Sequence, residues 1–199
     1  MAMMLSEVAG LGTDALPLAA FKTHLRMGTG FADDAGADAA VEAALRAALA
    51  AIEARTGKIL IARNFTLTLP GWRDEEAQPL PLAPVQAIQS VTITDGNGVA
   101  VAVPTAATRL VRDLHRPILA PAGSVLPGVP ARGSVEIVFT AGFGTWDEVP
   151  GDLRQAVLLL AARYYDDRSA MGGAEAMPFG ILSLIERWRN VRVLAGGRR

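Results

Sequence analysis

The chain has 199 residues, 51% of them hydrophobic and 20% charged, with a formal net charge of -1. Such a chain can bury enough apolar surface to fold as one compact unit or as one domain that carries an insertion. The near-zero net charge excludes a bulk electrostatic attraction to nucleic acid or to an anionic membrane. The absence of cysteine excludes disulfides, thiolate metal sites and cysteine nucleophiles. No apolar run approaches the ~20 residues that cross a bilayer, so a membrane is not an expected partner.

Two helices are predicted in the first third of the chain. Pro17 suits the first turn of a short amphipathic helix over residues 17–27. A longer, alanine-rich helix is predicted over residues 37–56, and Gly57 stands where a glycine commonly ends a helix. The apolar positions at helical spacing are Leu18, Phe21 and Leu25 in the first helix and Val41, Leu45, Ala48 and Ile52 in the second.

From Arg63 onward the hydrophobic period changes to two, which predicts β-strands. Alternating apolar residues flank the turn Asp95-Gly96-Asn97-Gly98, and this pattern is typical of a β-hairpin. Further strands are predicted near residues 108–114 and over residues 134–141. Residues 116–133 contain four prolines and three glycines and are predicted to be a loop.

Helical spacing returns at Pro150. The predicted core stripe consists of Leu153, Ala156, Val157, Leu160 and Tyr164. Leu158, Leu159 and Ala161 make the same helix apolar on most faces, so its own domain or a neighbouring subunit must cover it. A last helix is predicted from Pro178, and the tail from Arg187 to Arg199 has five arginines and no acidic residue.

The order helices, strands, helices lacks the alternation of a doubly wound sheet and predicts an α+β fold. We expect the N- and C-terminal helices to pack together as a helical bundle. Residues 1–62 and 146–199 would then form the helical core domain. Residues 63–145 would form an inserted, antiparallel β-rich region.

The sequence offers little for catalysis. His24 and His115 are the only histidines, and no nucleophile motif of a serine hydrolase surrounds any serine. Asp33, Asp34 and Asp38 precede or begin the long helix, where carboxylates cap and complement a helix N-terminus. We expect no catalytic residue, no cofactor and no bound metal; a small metal-dependent hydrolase using His24 with Asp33 or Asp34 is a distant alternative.

Several short segments together resemble a family of phage proteins that connect the head to the tail. They run in the same order over most of the chain, and no single one is diagnostic. The segments are Lys22-Thr23-His24-Leu25-Arg26, the Asp33-Asp34 pair, Glu53 to Lys58, Leu80 to Val85, Asp95-Gly96, Thr140 to Gly144, Val149 to Ala156, Tyr164 to Arg168 and Pro178-Phe179-Gly180.

The resemblance implies a structural head-to-tail adaptor, without enzymatic activity, in the neck of a tailed phage particle. Similar proteins assemble as rings, typically of twelve copies, between the portal protein and tail-side stopper proteins, and DNA passes through the lumen without sequence-specific binding. The alanine-rich, arginine-rich style resembles the versions carried by bacterial gene transfer agents, which are phage-derived particles. Another neck or tail-completion subunit is the alternative interpretation.

Two sets of interface residues follow from this resemblance. In similar adaptors the C-terminal segment reaches the portal, and the expected portal contacts are Phe179, Ile181, Leu184, Ile185, Arg187, Trp188, Arg189 and Arg192. The helix that is apolar on most faces would supply a contact between ring subunits. Its expected contact residues are Leu159 and Tyr165.

Overall fold

The structure is a computed structural model that describes residues 3–27, 35–166 and 177–189. In the second of these ranges, side chains are described from residue 38 onward. Its contacts divide the chain into two compact units. Met1–Pro17 and Lys58–Pro150 form the first, called the β unit; Leu18–Gly57 and Gly151–Arg199 form the second, called the helical unit. The predicted α+β class is confirmed. The predicted division into a helical core domain, residues 1–62 and 146–199, and an inserted β-rich region, residues 63–145, stays a prediction.

The β unit contains eight strands in two antiparallel sheets. The strands are β1 (Met4–Glu7), β2 (Arg63–Leu69), β3 (Gln78–Pro79), β4 (Val85–Thr94), β5 (Ala100–Ala102), β6 (Thr108–Val111), β7 (Ile118–Pro121) and β8 (Ser134–Ala141). The larger sheet has the order β1-β2-β8-β4-β5, and the smaller has the order β3-β7-β6. The two edge strands of the larger sheet, β1 and β5, are therefore far apart in the sequence.

The core of the β unit lies between these two sheets. Phe65, Leu67 and Leu69 alternate with polar residues along β2, so period two places them on one face. β8 lies between β2 and β4, and Phe139 stacks on Phe65 with ring centroids 6.0 Å apart. Leu119 of β7 belongs to the same buried cluster. The smaller sheet thus covers the apolar face of the larger one.

Position 142, in the segment Thr140 to Gly144, requires a glycine. Its φ is +130°, and a Cβ built there would lie 2.5 Å from the backbone Cα of Ala62. Phe143 N–H donates to the carbonyl of Leu60 and Ala62 N–H to the carbonyl of Gly144. The chain leaving β8 therefore runs directly against residues 60–62, a close approach that a side chain at 142 would prevent.

The helical unit contains α1 (Leu18–His24), α2 (Ala35–Thr56), α3 (Gly151–Asp166) and α4 (Phe179–Ile185). α3 contacts each of the other three helices. The predicted apolar positions of α2 are buried, namely Val41, Leu45, Ala48 and Ile52. Gly57 has a φ of +68° and donates its N–H to the Glu53 carbonyl, as expected for a glycine that ends a helix.

Three sequence-based expectations were wrong in detail. Residues 116–133 are not all loop, because β7 pairs with β6 and β3 within that range. A strand tolerates proline at its ends, where few ladder hydrogen bonds are lost. The apolar run Ile118 to Ala120 between the prolines contributes buried side chains. Tyr164, predicted to belong to the core stripe of α3, is exposed. α1 is shorter than predicted, since Arg26 turns the chain with a φ of +55°.

The stacked pair in the β unit gives a stability prediction. Phe139→Ala should lower the free energy of unfolding by about 3–5 kcal/mol, because the side chain is fully buried and its loss leaves a cavity. The control Val99→Ala changes an exposed side chain and should stay within about 0.5 kcal/mol. Urea denaturation followed by circular dichroism measures both, and equal effects would contradict the described core.

Candidate assembly surfaces

The residues expected at the portal lie on α4 and on the 3-10 turn Glu186–Trp188 that follows it. Ile181, Ile185 and Trp188 are buried, and they hold this segment to the helical unit. Phe179 is 85% exposed, which is exceptional for a side chain of this size and polarity. Leu184 is half-buried, and Arg187 and Arg189 are exposed. Arg192 lies outside the described residues.

Asp152 organises the end of this segment. Its Oδ2 accepts a hydrogen bond from Trp188 Nε1 and forms an ion pair with Arg187 Nε, each at 2.8 Å. The guanidinium of Arg187 also lies over the Trp188 ring, 4.7 Å from its centroid. One carboxylate in the first turn of α3 therefore anchors the turn after α4 through a buried indole and an exposed cation. Among the ion pairs described, by contrast, Arg189 forms one only with exposed Glu186, at 3.1 Å.

The residues expected at the ring contact occupy different environments on α3. Leu159 is exposed, as a subunit contact requires. Tyr165 is half-buried and meets buried Phe21 of α1 edge to face, with ring centroids 6.5 Å apart. Leu158 is also half-buried. The outward apolar surface of α3 is therefore smaller than its sequence suggests, because other helices cover part of it.

A cluster of charged and polar groups in the β unit surrounds Lys58, whose side chain is fully buried. Lys58 Nζ lies 3.1 Å from His115 Nδ1. Burial lowers the pKa of Lys58, and the negative charge of Asp113 partly offsets that effect. Asp113 Oδ1 accepts the backbone N–H groups of His115 and Arg116 at 2.7 and 2.6 Å, which lowers the pKa of Asp113. The cluster holds the loop between β6 and β7 in place.

The histidine proposed for the hydrolase alternative does not belong to the cluster around Lys58. His24 ends α1 in the helical unit, and Asp33 and Asp34 lie outside the described residues. Within residues 3–27, 35–166 and 177–189, no three His, Cys, Asp or Glu side chains form a group that could hold a metal ion. Over the same ranges no helix has the length and apolar character to cross a membrane.

Sequence reasoning missed one surface, the strand β1. Its four residues are all exposed, and it pairs with β2 at one edge of the larger sheet. The sequence signal was the short apolar run Met1 to Leu5, which does not alternate and is too short for a reliable strand assignment from periodicity. The large apolar side chains exposed in and beside β1 are Met3, Met4, Leu5 and Val8.

Comparison with known proteins identifies close structural relatives. No protein-family model and no curated protein matches the chain. A chain in the neck of an empty gene transfer agent particle, computed with C6 symmetry, is 53% identical, with a TM-score of 0.88; the match covers 98% of this chain and all of that one. A chain in the neck of the native particle, computed with C12 symmetry, is 50% identical, with a TM-score of 0.84 and coverage of 98% and 100%.

A third match is a chain of the native gene transfer agent virion, 53% identical, with a TM-score of 0.85 and coverage of 97% of this chain and 98% of that one. Sequence identity of this level, over nearly the full length of both compared chains, defines this chain as a virion structural protein. The chain belongs to the family of neck proteins of gene transfer agent particles.

The Asp152 anchor gives a second prediction. Asp152→Ala should lower the free energy of unfolding by about 1–3 kcal/mol, because the buried indole N–H of Trp188 loses this acceptor. Glu186→Ala breaks an exposed ion pair and should cost less than about 1 kcal/mol. Thermal denaturation of the two variants makes the comparison. A larger loss for Glu186→Ala would refute the anchoring role of Asp152.

Proposed function

We propose that the protein forms the adaptor ring of a gene transfer agent neck, between the portal protein and the tail-side neck proteins. The observation that carries this proposal is the similarity, at 50–53% identity over nearly the full chain, to chains of such necks. The cyclic symmetry of those necks supports a ring of copies of this chain, and C12 symmetry favours twelve. The role is structural, and no chemical reaction is assigned to the protein.

DNA passes through the lumen of the proposed ring without sequence-specific binding. The formal net charge of -1 supports this part of the proposal. A strongly basic protein would release many counterions from DNA and hold it tightly. A nearly neutral conduit lets the DNA slide during packaging and delivery.

The portal contact is proposed for the exposed part of the C-terminal segment. Phe179 supplies an apolar side chain of the kind that anchors interfaces, and Leu184 a half-buried one. Arg187, Arg189 and Arg192 supply cations that suit acidic groups on the partner. Ile181, Ile185 and Trp188, which are buried, act indirectly by positioning this surface rather than by touching the portal.

The ring contact includes Leu159 in this proposal. A cyclic ring uses two different patches on each subunit, one for each neighbour. Leu159 is exposed and apolar and belongs to such a patch, whereas Tyr165 supports it from below through its contact with Phe21.

Another neck or tail-completion subunit is the second candidate function, since the relatives are identified only as chains of the neck. Direct binding to purified portal separates the two candidates. The hydrolase alternative is tested by His24→Ala, which under the adaptor proposal leaves gene transfer unchanged.

A truncation tests the portal contact. Removing residues 190–199 and adding Arg189→Ala should weaken binding to purified portal rings at least tenfold, because the contact loses most of its cations. Arg187 and Trp188 remain, so the anchor at Asp152 is intact and the monomer should stay folded. The control carries Arg109→Ala and Arg116→Ala, two exposed arginines of the β unit. Equal affinities of the truncated and wild-type proteins, measured by surface plasmon resonance, would contradict the proposal.

A charged substitution tests the ring contact. Leu159→Asp should lower the unfolding free energy of the monomer by no more than about 1–2 kcal/mol and leave it folded, because the side chain is only partly covered and aspartate is a weaker helix former. The same change should prevent ring formation, because an unpaired charge would be buried at the contact. Tyr165→Asp should instead destabilise the monomer, since it removes the contact with Phe21. Size-exclusion chromatography with light scattering measures assembly, and normal rings of Leu159→Asp would exclude Leu159 from the contact.

A further inference from the structure

The apolar layer of the β unit is open at both of its lateral ends. The larger sheet has five strands and its cover has three. With neighbouring strands ~4.8 Å apart, four intervals span about 19 Å and two span about 10 Å. The cover is therefore narrower than the apolar face beneath it, so part of that face is left uncovered.

Residues at both edges lie on the apolar face of the larger sheet. Leu5 of β1 is paired with buried Leu67, and Val101 of β5 is paired with buried Ile93. Directly opposite residues in an antiparallel ladder project to the same side. Leu5 and Val101 are nevertheless 37% and 62% exposed. They extend the buried layer to the surface at opposite edges of the sheet.

The β1 end carries large apolar side chains that alternate between the two faces of the sheet. Met3 and Leu5 lie on the apolar face and are called the first-strand patch, whereas Met4 and Val8 project to the opposite side. The charged residue in this strand, Glu7, forms an ion pair with Arg63 at 2.8 Å. The strand has only four residues and carries this charge, and both features discourage another strand from pairing with its free edge. What β1 offers a partner is therefore its exposed apolar side chains.

The β5 end carries a second patch, Val99 and Val101, called the hairpin patch. Val99 is 59% exposed. Asp95 holds the hairpin, because its Oδ1 accepts the N–H groups of Asn97 and Val99 at 2.9 and 2.8 Å. The hairpin patch therefore stands on an ordered turn, and little conformational entropy is lost when a partner covers it.

The positions of the two patches indicate the kind of partner. They are not identical, both are apolar, and they lie at opposite edges of one sheet. A head-to-tail contact between identical subunits requires two different patches that face opposite neighbours. A single foreign partner would need to cover both edges at once, or would leave one of them exposed to water.

We propose that the first-strand patch of one copy packs against the hairpin patch of the next copy, so that the apolar layers of neighbouring β units join around the ring. This inference rests on the proposed ring and adds a contact in the β unit to the one on α3. The occupant of each patch is a second copy of this chain.

The contact is one of side-chain packing rather than a continuous hydrogen-bonded sheet. Sheets twist by roughly 20–25° per strand, which turns β5 by about 80–100° from β1 over four steps. Neighbours in a twelvefold ring differ by a rotation of about 30°, which is too small to bring the two edge strands parallel. Packed valine, leucine and methionine side chains do not require parallel strands.

The chain contains no cysteine, so engineered cysteines report this contact without background. The experiment uses the full-length variant with Leu5→Cys and Val101→Cys, assembled on portal rings and treated with a short bismaleimide. The inference predicts a ladder of covalent multimers up to the complete ring. Each single variant should give no multimers, because its cysteine would face an apolar side chain of the neighbour. A control with Leu5→Cys and Val125→Cys, which adds another exposed valine, should give none either.

Two results would overturn the inference. Assembled rings of the double variant that give no ladder would show that the patches do not meet. Covalent dimers of Leu5→Cys alone would show a symmetric contact instead of a head-to-tail one. Wild-type protein that forms no ring on the portal would overturn the proposed function as well, so the two failures are distinguishable.

A pair of oppositely charged substitutions tests the contact if the cysteine variants do not assemble. Leu5→Lys and Val101→Glu should each reduce ring yield at least tenfold, because each buries an unpaired charge. Val101 is 62% exposed, so Val101→Glu should leave the melting temperature of the monomer unchanged, whereas Leu5→Lys, at a side chain 37% exposed, should lower it slightly and still leave the monomer folded. The double variant should recover most of the yield through the new ion pair. Normal rings of both single variants, or no recovery in the double variant, would contradict the contact.

Discussion

The pairing of β2, β8 and β4 is the constraint on which the β unit depends. β8 lies in the centre and pairs with β2 on one side and β4 on the other. Because side chains alternate between faces, this register brings Phe65, Ile137 and Val91 to one face of the sheet. A shift of one residue would turn that face to solvent. The same register determines which residues of the two edge strands continue the apolar layer.

Much of this architecture could be predicted from the sequence, because its periodic signals are strong. The alternation along β2 and β8, the Asp95 to Gly98 turn and the apolar stripe of α2 correspond to elements of the structure. The elements that were missed are short. β1 and β7 have four residues each, and β3 has two, so periodicity has too few positions to act on. Their pairing is decided by tertiary contacts.

The assembly surfaces were less predictable than the fold for a different reason. Helical spacing indicates that a residue is apolar, but it does not indicate whether the protein itself covers that residue. Trp188 and Ile185 belong to the same short segment as Phe179 and have the opposite environment. Only the packing of α4 and its anchor at Asp152 distinguish them. The packing of the helical unit determines which of its apolar side chains remain available to a partner.

The central claim is that this chain forms a ring directly on the portal. Single-particle electron microscopy of the purified protein mixed with portal tests it most directly. We expect a cyclic ring, of twelve copies as the C12 symmetry favours, stacked on the tail-facing end of the portal, with the exposed C-terminal segment at the contact. A protein that binds only a tail-side neck component, or that leaves the portal unoccupied at saturating concentration, would contradict the adaptor role.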